Sequence, residues 1–254
     1  MKRTALTILA MAAVLALAPV VQAATVTQAL WKMGEDDPAA AAGNAVNATG
    51  VDSSGSNDLA LLGSGATYTA PGADTGSPLA VNFDGAGHYE GTVAGWAGDR
   101  GVELWLRISE PNDRHDPLSV GNLIFYTFGG GSNQIYNDFA GTGGVGDPFT
   151  YTSSEWFHLA LVTVGLETTF YANGVAQGSS REVTFDSDLF VVGDTNRGGG
   201  PWLGDIDNVR VFNVTDGDFD PMRDLTLSMD IPEPATMSLL ALGGLAALIR
   251  RKRQ

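Results

Sequence analysis

Asp205 and Asp207 stand two residues apart at the start of a run, Ile206 to Phe212, whose β-branched and aromatic residues predict a strand. Alternate residues of a strand share a face, so both carboxylates would point the same way, as an acid and nucleophile for glycosidic cleavage must. The competing reading is structural: one aspartate faces solvent and the other bonds to backbone or to Arg210. The three histidines are His88, His115 and His158. His158 lies in the strand-like run Trp156 to Val164, where a histidine satisfies a local hydrogen bond, and no serine sits in a nucleophile-elbow sequence. Gly141-Thr142-Gly143-Gly144-Val145-Gly146 spells the dinucleotide pattern, but Asp147-Pro148 follows where a helix must begin, so a flexible loop is expected. Asp216-Gly217-Asp218-Phe219-Asp220 opens like a calcium loop. Pro221 and Leu227 then occupy the positions of the required glycine and bidentate glutamate, which leaves a solvated acidic turn. No catalytic residue emerges. Two tryptophans among turn residues, Trp96 and Trp202, are the candidates to stack a sugar ring, against the alternative that they cap a core.

Those residues sit between two specialised ends. Lys2 and Arg3 precede an apolar run from Leu6 to Leu17, which leads through Pro19 to Val21-Gln22-Ala23. Charged region, apolar region and small-residue site in that order predict a signal peptide over 1–23, cleaved after Ala23. At the other end Ile231-Pro232-Glu233-Pro234 precedes the apolar Ala235 to Ile249 and the basic cluster Arg250, Arg251, Lys252 and Arg253. As a helix the apolar stretch would reach about 22 Å, short of a hydrocarbon core of about 30 Å, so it is a marginal anchor, weakened further by Gly243-Gly244. Basic residues beyond it stay on the cytoplasmic side and put the bulk of the chain outside.

Six of the 14 basic residues and one of the 29 acidic ones belong to those ends, leaving 8 basic against 28 acidic residues in 24–231. A body so acidic repels nucleic acid and favours cations, so no nucleic-acid partner is expected. There is no cysteine, which excludes disulfides and thiol chemistry. With 33 glycines and few helix formers, the body reads as strands joined by turns.

Strand signals recur at Gln28 to Lys32, Val102 to Ile108, Leu123 to Phe128, Gln134 to Phe139, Trp156 to Val164, Thr168 to Tyr171, Glu182 to Phe185, Leu189 to Val192 and Ile206 to Phe212. Asn173-Gly174 predicts a tight hairpin, because both residues tolerate positive φ. Pro38 to Pro78 reads as a long, weakly structured surface excursion. An all-β, two-sheet antiparallel sandwich follows, with Trp105, Trp156, Phe157, Phe170 and Phe212 as its large inward faces.

The last 24 residues resemble the PEP-CTERM sorting tail of Gram-negative bacteria in motif, apolar length and terminal basic cluster. The resemblance implies an exosortase-like transpeptidase as partner, cutting near Pro232, Glu233 and Pro234 after a transient stay in the inner membrane. The product then goes to the cell surface or beyond. The body resembles laminin-G-like, concanavalin A-type jelly rolls in six ordered blocks: Val81-Asn82-Phe83-Asp84-Gly85, Val102-Glu103-Leu104-Trp105-Leu106, Glu155 to Val162, Phe170 to Gly174, Leu189 to Gly193 and Gly204 to Phe212. The domains expected are a signal peptide at 1–23, a laminin-G-like sandwich at 24–229 and the sorting tail at 231–254. Enzymes of that architecture carry a glutamate-rich signature that is missing here. The resemblance also implies calcium as the candidate ion at a sandwich rim, with the loops of Asp36, Asp37, Asp84, Asp99, Asp194 and Asp205 as oxygen sources and no metal ligand assigned. The expected function is a non-catalytic exported protein that binds carbohydrate or another extracellular polymer. A purely structural matrix component and a polysaccharide hydrolase or lyase are the alternatives.

Overall fold

The computed structural model describes residues 25–73, 77–109, 113–128, 132–140, 142–195, 199–215 and 218–227. The signal peptide with Ala23, the sorting tail with its Pro-Glu-Pro and basic residues, and Gly141, Asp216 and Gly217 lie outside the described residues. The strands are β1 (Thr25–Trp31), β2 (Thr49–Gly50), β3 (Leu59–Gly63), β4 (Thr67–Thr69), β5 (Ala80–Asp84), β6 (Gly87–Thr92), β7 (Arg100–Ile108), β8 (Leu118–Val120) and β9 (Leu123–Thr127). They continue as β10 (Gln134–Phe139), β11 (Phe149–Thr150), β12 (Phe157–Val164), β13 (Glu167–Ala172), β14 (Val175–Ala176), β15 (Arg181–Glu182), β16 (Leu189–Val192) and β17 (Leu203–Val214). One short helix, α1 (Pro221–Asp224), closes the described chain.

A nine-stranded sheet runs β14-β13-β12-β7-β17-β5-β4, with β1 also on β17 and β15 on β13. An eight-stranded sheet runs β11-β10-β9-β8-β16-β6-β3-β2. The two face each other as an antiparallel sandwich. Period-2 alternation builds the core between them: Val102, Leu104, Leu106 and Ile108 of β7 are buried in it, while Glu103, Trp105 and Arg107 take the opposite face. Asn173 and Gly174 have φ of 48° and 76° and turn β13 into β14 as the hairpin signal predicts.

Pro38 to Pro78 differs from its sequence reading, because it supplies β2 and β3 to one sheet and β4 to the other. It places Val46, Leu59, Ala66 and Tyr68 in the core and is held by polar bonds as well. Asp52 accepts from the amides of Leu30, Ser54 and Asn57 at 2.9–3.0 Å, and the Tyr68 hydroxyl donates to Asp37 at 2.8 Å. Short strands with partners distant in sequence leave no local periodicity to read. The Glu182 to Phe185 strand shrinks to Arg181–Glu182, and Phe185 plugs the core edge-on to Trp96 and Phe139.

Phe157 and Phe170 lie in the sandwich core as expected, but three of the five predicted inward aromatics do not. Trp105 and Trp156 are half-buried. Trp105 lies on the outer face of the nine-stranded sheet, edge-on to His158, and Trp156 packs under the outward-pointing Arg107 at 4.7 Å. Phe212 joins Ala160, Val162, Val214 and Leu225 in a second apolar cluster on that face. The reason is residues 218–227, which fold back across the sheet and make its outside a second interior.

Candidate functional site

Asp205 and Asp207 do share the outer face of β17, but each is spent on structure. Asp205 is buried, accepts from Arg107 Nε at 2.7 Å and Asn82 Nδ2 at 2.9 Å, and so is tied to Arg107 rather than Arg210. Asp207 is fully buried, accepts from the Ala73 amide and meets the Ser77 hydroxyl, both at 2.7 Å. Neither faces solvent, so a glycosidic bond has no route between them.

His158 Nε2 meets Glu103 Oε2 at 2.9 Å inside the second cluster, His115 Nδ1 meets the Pro201 carbonyl at 2.9 Å, and His88 lies 3.6 Å from Asp194. The glycine-rich loop is pinned rather than free. Arg181 donates to the Thr142 and Gly143 carbonyls at 2.6 Å, and Asn137 clamps the Val145 backbone at 2.7 and 2.9 Å. Of the calcium-like run, Asp220 caps α1 through the Met222 amide at 2.9 Å, and Asp218 pairs with Arg223 at 3.5 Å. Among the described residues no three His, Asp or Glu side chains converge as a metal site. The rim aspartates are dispersed into local bonds, such as Asp84 to the Ala86 amide at 3.0 Å and Asp99 to the Gly165 amide at 2.8 Å.

Trp96 is 4 % and Trp202 0 % exposed, so neither offers a ring face to a sugar. Trp96 stands edge-on to Phe185 and Phe190, with the Arg100 guanidinium 4.5 Å above its ring. A large aromatic flanked by glycines gains more from the core than from the surface, and the glycines let the loop bring it there.

The exposed aromatic face is elsewhere, on the outside of the eight-stranded sheet. Tyr126 of β9 and Tyr136 of β10 are directly paired across the strands and stack at 5.4 Å and 21°. Phe128 is 60 % exposed and meets Tyr136 edge-on at 6.1 Å, while the half-exposed Arg114 covers the Tyr126 ring at 5.1 Å. Burial first, then the charge of Asp138, holds the Tyr126 hydroxyl above the usual phenol range. From this aromatic corner a row runs across five strands: Asp138, Ile124, Ser119, Val191 and Glu90 in register. Its middle members, Ile124, Ser119 and Val191, are buried although they face outward, and the row spans about 19 Å at four strand spacings, with the aromatic corner at one end and His88 and Glu90 at the other. The rings at the corner can take the flat face of a ligand by stacking. Sequence reading missed this corner because Leu123 to Phe128 is aromatic on both faces. Phe125 points in, Tyr126 and Phe128 point out, and the phase is undecided until Tyr136 is seen opposite Tyr126.

Residues 97–215 match the concanavalin A-like lectin/glucanases superfamily in its laminin-G form, and residues 230–253 match the PEP-CTERM protein-sorting motif. No curated protein matches the chain. Among solved structures, domain 4 of AbnA, a GH43 extracellular arabinanase from Geobacillus stearothermophilus, determined in complex with arabinotriose, is 16 % identical with a TM-score of 0.56. That match covers 81 % of this chain and 99 % of the other. A mutant of Trypanosoma rangeli sialidase displaying trans-sialidase activity is 15 % identical with a TM-score of 0.55. It is matched over 80 % of this chain and only 33 % of its own length. Identities this low speak for the fold alone. The sorting motif implies an exported, surface-sorted protein. The segment 97–215, which supplies β7 to β17 of the sandwich, thus matches the concanavalin A-like lectin/glucanases superfamily, in a chain that carries a PEP-CTERM protein-sorting motif.

Proposed function

We propose that this protein is a non-catalytic glycan-binding protein of the cell surface or extracellular matrix, and that its sugar-binding face is the Tyr126, Tyr136, Phe128 and Arg114 corner. The observation that carries the reading is a half-exposed, stacked tyrosine pair beside the exposed Phe128 on one sheet face. A domain of similar fold determined in complex with arabinotriose supports a carbohydrate ligand in general. The non-catalytic half of the reading rests on the closed surroundings of Asp205 and Asp207. In the same proposal residues 1–23 are removed after Ala23, residues 24–229 form the binding domain, and an exosortase-like enzyme acts at Pro232, Glu233 and Pro234 while Ala235 to Ile249 holds the tail in the inner membrane.

The test is a glycan array followed by titration of the best hit on the exported protein, with Tyr136→Ala and Tyr126→Ala as variants. Stacking contributes about 0.5–1.5 kcal/mol beyond area burial, so each variant is expected to weaken binding roughly 2- to 12-fold on protein that circular dichroism shows to be folded. Saturable binding that ignores both substitutions would remove this face. No saturable binding to any glycan would favour a purely structural matrix component. Release of new reducing ends or unsaturated products would revive the hydrolase or lyase.

A further inference from the structure

The buried Asp207 and the half-buried Glu35 share a single hydroxyl through their carboxyls. Ser77 Oγ lies 2.6 Å from Glu35 Oε1, 2.7 Å from Asp207 Oδ2 and 2.9 Å from the Leu79 carbonyl. One hydroxyl has one proton to donate, and a carbonyl can only accept. Both short contacts to carboxyl oxygens can be hydrogen bonds only if at least one of the two carboxyls carries a proton of its own and donates it to Ser77. The other oxygens of the pair, Glu35 Oε2 and Asp207 Oδ1, are buried without partners, which an ionised pair would leave as two uncompensated charges. Lys32 is the described cation that acts on Glu35, and its effect is smaller than that of burial. Lys32 is bound to Asp36 at 3.1 Å, and Arg107, on the same face of the sheet, is bound to Asp205.

We propose that Glu35, Ser77 and Asp207 form a proton-sharing latch, which seats the backbone at Ala73, Ser77 and Leu79 against the last strand while the pair holds a proton and releases it when that proton is lost. The seat is tight. Asp207 Oδ2 also receives the Ala73 amide at 2.7 Å, Glu35 Oε1 the Leu79 amide at 3.2 Å, and a Cβ on Gly72 would fall 2.3 Å from Ser77 Oγ. Burial above all pushes the Asp207 carboxyl up to about 7, the Glu35 charge adding to it, and burial likewise raises Glu35. A group raised in this way contributes stability that is fully present below its ordinary value and is lost as pH rises from there to the folded value, so the latch weakens between about pH 4 and about pH 7 and changes no further above that.

Amide hydrogen exchange of the full chain, read on peptides containing Ala73 and Leu79 from about pH 4 to about pH 9 and corrected for intrinsic rates, tests this. The expected result in the wild type is a local opening constant that grows by up to tenfold per pH unit toward about pH 7 and levels off above it. It should stay flat in Asp207→Asn, which has no proton to lose. Glu35→Gln is the second neutral variant, should Asp207→Asn fail to fold, and is expected to flatten the profile too. A profile that rises equally in a folded neutral variant overturns the latch. So does a wild-type segment that stays closed at high pH only when calcium is present, which would make the shared positive charge a metal ion rather than a proton.

Discussion

Three donors converge on the Glu103 carboxylate: His158 Nε2 at 2.9 Å, Arg210 Nη1 at 2.7 Å and the Thr226 amide at 3.0 Å. Burial opposes its ionisation, but the Arg210 charge and the hydrogen bonds outweigh it and hold the acid at about 2. The sign is therefore opposite to that of Asp207. A depressed acid contributes stability that is present above its unfolded value and lost as pH falls through the folded one, so the sandwich should weaken from about pH 4.5 toward pH 2. Glu103→Gln keeps the size of the side chain but strands Arg210 beside it, and breaking a buried pair in this way costs about 3–5 kcal/mol. Urea titration at neutral pH should read that loss. The variant should also show a shallower decline below pH 4.5 than the wild type, and a parallel decline would mean that Glu103 does not govern the acid limb.

At the scale of elements, residues 218–227 behave as part of the fold rather than as a linker. Leu225 is buried with Phe212, Phe219 lies parallel to Phe212 and against Tyr171, and Trp105 Nε1 donates to the Thr226 carbonyl at 3.0 Å. Leu225→Ala should destabilise by about 2–5 kcal/mol, as other large-to-small core changes do, although the residue lies outside the matched laminin-G segment. A loss below about 0.5 kcal/mol in denaturant titration would show that the crossing segment is only loosely applied. The β13–β14 turn depends on the same segment: a Cβ on Gly174 would meet Leu227 Cδ1 at 2.4 Å, in a residue whose φ of 76° already disfavours it. Gly174→Ala should lower the melting temperature for both reasons, whereas Gly143→Ala, at φ 78° but with nothing within 4 Å, should show the backbone effect alone and a smaller shift.

For the whole molecule, Arg210 joins the two ends of the described domain. It donates to Thr25 Oγ1 at 2.8 Å near the start of β1 and to the Asp224 carbonyl at 2.9 Å near the end of the described chain. Under the proposal for the tail, Pro232 is the fifth residue after the docked Leu227, so the sorting motif lies at most about 18 Å of extended chain from the domain surface. Replacing Pro232, Glu233 and Pro234 by alanine should leave the domain folded while the chain keeps its basic C-terminus and stays with the inner membrane. Intact mass and membrane fractionation read both. Normal trimming and release of that variant would reject the motif as the processing signal.

What the residues determine without tertiary information is whatever is written in contiguous order. The Pro-Glu-Pro, apolar and basic succession at the end needs no packing to be read, and the alternation of Val102 to Ile108 and the Asn173-Gly174 turn are local backbone physics. Tertiary structure decided which face of each strand became an interior. Trp105 and Phe212 sit on strands found by periodicity, yet their faces were settled by residues 218–227 crossing the sheet, a contact between positions more than a hundred apart in the case of Trp105. It likewise moved Trp96 and Trp202 inside, brought Tyr136 opposite Tyr126, and joined Glu35, Ser77 and Asp207 across 130 residues around one hydroxyl. Such groups have no common period or spacing, because only the pairing of strands distant along the chain sets the distances between them.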